Sequence, residues 1–132
     1  MIFEVNTIFR QEYIVTEAVY NGFIDVFHDR NPLHTNEEFA RAKGFRGRVM
    51  HGNILNGFLS CFVGEALPTK EVIIHTQEIQ YKLPVYLHDK LSFEAIVDGV
   101  YESVKTVEFK FTFLNTEDKV VAKGKIQIGL FI

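Results

Sequence analysis

The chain has 132 residues with 14 Lys and Arg against 17 Asp and Glu, and its net charge of −3 supplies no cationic excess to drive binding to nucleic acid. An apolar fraction of 47%, with 13 Phe and no Trp, suffices for one core, and 23% charged residues argue against disorder. No apolar run approaches the roughly 20 residues that span a bilayer, and residues 1–10 mix Glu4, Asn6 and Arg10 among apolar positions unlike a signal peptide.

These features lead us to expect one domain over residues 1–132, cytoplasmic, with neither membrane nor nucleic acid as partner. The single cysteine, Cys61, allows no internal disulfide and is expected to be a small buried hydrophobe.

Residues 2–15 carry β-branched and aromatic side chains in imperfect alternation and read as extended. Thr16 can cap a helix in which Val19, Tyr20, Phe23, Ile24 and Phe27 recur at three- and four-residue steps. That helix should stop near His28, because Pro32 disfavours helix at Asn31. A short second helix is expected from Thr35, where Thr35 and Glu38 have capping-box spacing, to Gly44.

After a loop containing Arg46 and Arg48, residues 53–66 form a broad apolar helix with Ile54, Leu55, Phe58, Leu59, Phe62 and Val63. So much of its circumference is apolar that it should be enclosed. Four strands can provide the enclosure. The first places Ile73, Ile79 and Tyr81 on one face, and the second Leu91, Phe93, Ala95 and Val97. The third places Val107, Phe109, Phe111 and Phe113 on one face, and the last, residues 120–130, does so with Ala122, Ile126 and Ile128. His88-Asp89 and Asn115-Thr116-Glu117-Asp118 have the composition of turns. Helices followed by closely linked strands argue for an α+β fold with an antiparallel sheet wrapped around the apolar helix, because parallel pairing needs longer crossovers. Exposed sheet edges could then pair between two copies.

Two segments carry candidate chemistry. In Asp29-Arg30-Asn31-Pro32-Leu33-His34 the proline stiffens what reads as a loop, and a carboxylate and an imidazole that converge can hold and deprotonate one water. The same composition also suits an ordinary turn. In His51-Gly52-Asn53, at the start of the apolar helix, the Gly52 N–H can face an oxygen gaining negative charge, although Gly there also suits a plain helix start. His28, His34 and His51 match no zinc spacing, so no metal is expected. Ser60 lacks a nucleophile elbow.

These two segments, with residues 45–49 before His51 and Tyr81-Lys82-Leu83-Pro84-Val85 before His88-Asp89, resemble the MaoC-like (R)-specific enoyl-CoA hydratases over nearly the whole chain. The resemblance implies a hot-dog fold, a homodimer or higher oligomer, and reversible syn addition of water to a trans-2-enoyl thioester of coenzyme A or acyl carrier protein, without metal or redox cofactor. It also implies catalytic roles for Asp29, His34 and Gly52. Asn31 matches the motif's Asn, which braces the loop, and Ser60 a position on the central helix; with His51, Asn53, Arg46 and Arg48 they are the candidate substrate-side residues. Read from the sequence itself, Arg41, Lys43, Arg46 and Arg48 cluster before that helix and suit either the phosphates of coenzyme A or a carrier's pantetheine arm, or an ordinary solvated basic loop. Two departures stand out: His28 precedes the Asp where the family commonly has Gly, and Asn53 and Asn56 are polar where that helix is usually apolar. A non-catalytic acyl-thioester binding protein and a thioesterase are the alternatives.

Overall fold

The computed structural model describes residues 2–132. The chain runs β1 (Ile8–Ile14), α1 (Glu17–Phe27), α2 (Pro32–Thr35), α3 (Glu37–Ala42), α4 (Asn53–Cys61), β2 (Val72–Tyr81), β3 (Lys90–Tyr101), β4 (Thr106–Leu114) and β5 (Val120–Leu130). The five strands form one sheet in the order β1-β3-β4-β5-β2, and all four pairings are antiparallel. Alternation decides which face is buried. In β3 and β4, Leu91, Phe93, Ala95, Val97, Val107, Phe109, Phe111 and Phe113 all turn inward.

Against that face lies α4, extended by a π-helical turn over Phe62–Ala66, so the apolar stretch expected over residues 53–66 is one continuous helical rod. Ile54, Leu55, Phe58, Leu59, Phe62 and Val63 are buried under the sheet. Phe62 meets Phe93 edge-on at 4.8 Å between ring centroids, a geometry in which the positive ring edge faces the negative ring face. The result is the hot-dog arrangement, a curved sheet around one helix.

Several details differ from the sequence expectations. The central helix is not fully enclosed: Asn53, Gly57, Ser60, Cys61 and Gly64 form an exposed stripe, and Cys61 is therefore exposed rather than buried. Its neighbours on that stripe are too small or polar to drive burial within one copy. The second helix starts at Glu37, not Thr35. Asn36 caps it by accepting from the Phe39 N–H at 3.0 Å, while the Thr35 hydroxyl donates back to the Arg30 and Asn31 carbonyls.

In β2 a bulge between Ile74 and Thr76 reverses the side-chain alternation. Ile73 therefore faces outward, 57% exposed, and Val72, Ile74 and Ile79 pack on the core. Gly124 of β5 sits where a Cβ would lie 1.9 Å from the Glu78 carbonyl oxygen, so only glycine admits this approach of the two backbones. Two expected local features are present: the Thr16 hydroxyl caps α1 by accepting from Val19 N–H at 3.1 Å, and the Asn115 side chain closes the β4 to β5 turn.

Candidate active site

Helix α1 ends at His28, which takes the left-handed conformation at φ 62° and donates its N–H to the Ile24 carbonyl at 2.8 Å. The chain leaves that turn through Asp29. Asn31 then caps α2, accepting from the Leu33 N–H at 2.9 Å, and Pro32 occupies the first helical turn, where its missing N–H costs nothing. His34 accordingly sits on a one-turn helix, not on the extended loop expected. A four-residue helix is too short to show a period in sequence.

Backbone groups aim both side chains. The Asn31 N–H donates to Asp29 Oδ1 at 3.2 Å, which leaves Oδ2 free. His34 Nδ1–H donates to the Val49 carbonyl at 2.7 Å, because a carbonyl can only accept, and the lone pair is thereby fixed on Nε2. His34 Nε2 and Asp29 Oδ2 face one another at 3.9 Å. This is wider than a direct hydrogen bond, and one water could lie at about 2.8 Å from each. The base of α2 is tied down by Val49 N–H to the Leu33 carbonyl at 3.0 Å and by the Tyr20 hydroxyl, which donates to the His34 carbonyl.

His51 lies directly behind the pair. Its Nε2–H donates to the Asp29 carbonyl at 2.8 Å, and its ring stacks on that of His34 with centroids 4.0 Å apart. Burial, the main cause, holds the His51 imidazole below its ordinary range, and the nearby His34 charge adds to this against opposing contributions from Asp29. Gly52 follows at the amino end of α4, and its N–H has no acceptor among the described residues. A Cβ on Gly52 would stand 3.0 Å from the Tyr81 ring, so the missing side chain lets that ring lie against the start of the helix.

These groups line two adjoining cavities. One of about 540 Å³ includes Asp29, His34, His51, Gly52 and Asn53, with Tyr81, Lys82, Leu83, Pro84 and Val85 across from them. The other, about 750 Å³, is a largely apolar groove between α1 and α4, bordered by Val19, Val26, Phe27, Gly57 and Phe58. Asp29, Phe23, Asn53 and Ile54 border both.

The candidates thus separate. Asp29, His34, His51, Gly52 and Asn53 converge. Asn31 braces rather than lines, and Ser60 lies on the exposed stripe of α4 outside both cavities. Arg46 and Arg48 flank a separate shallow groove, where Arg46 meets Asp89 at 3.6 Å and Arg48 meets Glu37 at 3.5 Å. The sequence reading missed Tyr20, Phe23, the Val49 carbonyl and Lys82. Lys82 and Val49 stood within segments already singled out, but a backbone carbonyl such as that of Val49 has no signature in sequence.

Asp29, His34 and His51 bring one potential metal-ligand atom each within 4.8 Å of one another. However, the two imidazoles stack with planes only 30° apart, so their in-plane lone pairs run alongside each other instead of meeting. The geometry suits proton transfer better than coordination.

A curved sheet on a single helix defines a hot-dog protein, and here a carboxylate and an imidazole face one another at the helix's amino end. Residues 4–119 match the MaoC like domain, and the chain belongs to that family. The (R)-specific enoyl-CoA hydratase of Rhodospirillum rubrum is 32% identical over 114 residues, covering 86% of this chain and 78% of that protein. The 3-hydroxybutyryl-CoA dehydratase of Methylorubrum extorquens is also 32% identical, over 79% of this chain and 66% of that protein. The solved (R)-hydratase of A. caviae involved in PHA biosynthesis superposes with a TM-score of 0.89 at 26% identity, covering 98% of both chains.

Proposed function

We propose that Asp29 and His34 hold one water between them and use it for the (R)-specific hydration of trans-2-enoyl thioesters, and for the reverse dehydration of (R)-3-hydroxyacyl thioesters. The protein is then a lyase. The observation that carries this reading is the 3.9 Å gap between His34 Nε2 and Asp29 Oδ2, with the other polar atom of each side chain already bonded to backbone.

In the forward direction the thioester carbonyl makes Cβ electrophilic. Imidazole is the stronger base of the two, so His34 Nε2 accepts a proton as the water oxygen bonds to Cβ, while Asp29 orients the water and offsets the imidazolium charge. The Cα=Cβ electron pair moves toward the carbonyl, and the Gly52 N–H at the helix's amino end faces the resulting oxyanion. The proton held by the pair then returns to Cα on the face that received the hydroxyl, giving syn addition with no net change in the protein.

The apolar groove between α1 and α4 suits the acyl chain, and the cavity walled by residues 81–85 suits the thioester end of a pantetheine arm. Arg46, Arg48 and Lys82 are the cations near that side for the phosphate of coenzyme A or an acyl carrier protein. The chain is read as one domain that assembles as a homodimer, supported by the free edge of β2 and by the exposed small-residue stripe on α4. Among the described residues no helix is long and apolar enough to cross a membrane, and a cytoplasmic setting accords with the lone unpaired Cys61.

The test follows loss of enoyl conjugation across enoyl-CoA substrates of increasing length, with chiral analysis of the product and a parallel assay for free thiol. An (R)-3-hydroxyacyl product is expected. Thiol release without hydration would identify a thioesterase, and neither reaction would leave a binding protein.

A further inference from the structure

We propose that His51 is a positioning residue for the catalytic pair: its imidazole holds the Asp29 peptide by one hydrogen bond and carries the His34 ring on its face. The inference rests on the reading of Asp29 and His34 given above, and it moves His51 away from the substrate-side role expected of it from the sequence. His51 is 3% exposed. Its Nε2–H is committed to the Asp29 carbonyl, and its Nδ1 is enclosed with no hydrogen-bond partner, so neither nitrogen is offered to a ligand.

The ring is held between two others. Phe23 lies on it at 4.6 Å and His34 at 4.0 Å, measured between centroids. One residue thus fixes both halves of the pair, the carboxylate through its own peptide and the imidazole through its ring face. Phenylalanine here could stack but not donate, and glutamine could donate but not stack.

The same surroundings keep His51 neutral. The Asp29 carbonyl requires a proton on Nε2, so a second proton would go to Nδ1 and create a buried, charged N–H without an acceptor. The titratable and charged groups facing it are Asp29, His34 on α2 and Tyr20 on α1, whose ring is 6.0 Å away and is itself covered by the Arg48 guanidinium at 5.1 Å. With His51 neutral, His34 can take up and release the reaction proton without a competing charge against its face.

The experiment compares His51→Phe and His51→Gln with the parent, and follows the imidazole nitrogens of the parent by 15N NMR between pH 5.5 and 8. His51 should show the Nε2–H form at neutral pH and take up a second proton only below the ordinary imidazole range. Both variants should lose about 10- to 100-fold in kcat with KM within about twofold, the signature of misplaced catalytic groups with the substrate site intact. An Nδ1–H form, ordinary titration of His51, or folded variants with parental kcat would overturn the proposal. Should either variant fail to fold, the NMR result on the parent decides. Asp29→Asn run in parallel separates the two readings: if it is as active as the parent, the pair itself is wrong, whereas an inactive Asp29→Asn beside unchanged His51 variants overturns only the role of His51.

Discussion

At position 28 the backbone enters the left-handed region, φ 62°, and that turn directs the chain from α1 into Asp29. The site of the turn explains a departure noted in sequence: the resembled family commonly carries Gly here, and only Gly adopts this conformation without strain. His28 lines neither cavity, so its bulk does not reshape the pocket. His28→Gly should raise the unfolding free energy by about 0.5 to 1 kcal/mol in a denaturant titration, with kcat nearly unchanged.

The neighbouring His51 gives a pH-dependent counterpart. Its imidazole titrates below the ordinary value of 6.5 in the folded chain and near it once unfolded. Below that value the unfolded state binds the extra proton, so the stability linked to His51 is complete above about pH 6.5 and is lost as pH falls below it. Unfolding free energy should therefore decline more steeply as pH falls below about 6.5 in the parent than in His51→Phe.

Among the elements, α2 has four residues and carries His34, one member of the proposed pair, so its stability depends on its cap and tethers rather than on its own helical propensity. Asn31→Ala removes the side-chain acceptor for Leu33 N–H and keeps the backbone N–H that bonds Asp29 Oδ1, so it loosens the start of α2 alone. It should cost about 1 kcal/mol in stability and lower kcat more than it raises KM. The groove between α1 and α4 offers a different handle. A side chain added at Gly57 would find no atom within 4 Å of its Cβ, so Gly57→Leu can extend into that groove without displacing the core. Activity on long enoyl thioesters should fall by tenfold or more while a four-carbon substrate is little affected, as measured by kcat/KM for each length.

The long periodic elements were legible in sequence because their burial follows from their own residues: β4 alternates Val107, Phe109, Phe111 and Phe113, and Thr16 announces α1. What sequence did not reveal depends on partners elsewhere in the chain. The β2 bulge arises in the pairing with β5, so Ile73 was placed on the wrong face. The helix α2 has no period to detect, and the stripe through Gly57, Ser60 and Cys61 was hidden by the strong apolar face opposite it. In the site, Asp29, His34 and Gly52 were recognisable as residue types, but the Val49 carbonyl that fixes the His34 tautomer was not.

At the scale of the whole molecule, the sheet ends in β1 and β2, and the edge at β2 adjoins α4 through the Gln77 amide, which donates to Asn56 at 2.7 Å. Pairing there with a second copy would cover both the strand edge and the Ser60, Cys61 and Gly64 end of the α4 stripe, which lies outside the groove. Sedimentation should give about twice the 15.2 kDa chain mass, and a monomer at micromolar concentration would contradict the assembly.

The central claim, that one water is shared by two side chains, is tested most directly by a double-mutant cycle on kcat with Asp29→Asn, His34→Ala and the combined variant. Each single change should cost about 10²- to 10⁴-fold, and the double variant should be about as slow as the slower single, because groups that act as a unit are lost together. Costs that multiply in the double variant, or a single variant with parental kcat, would show that the two residues do not act on the same water.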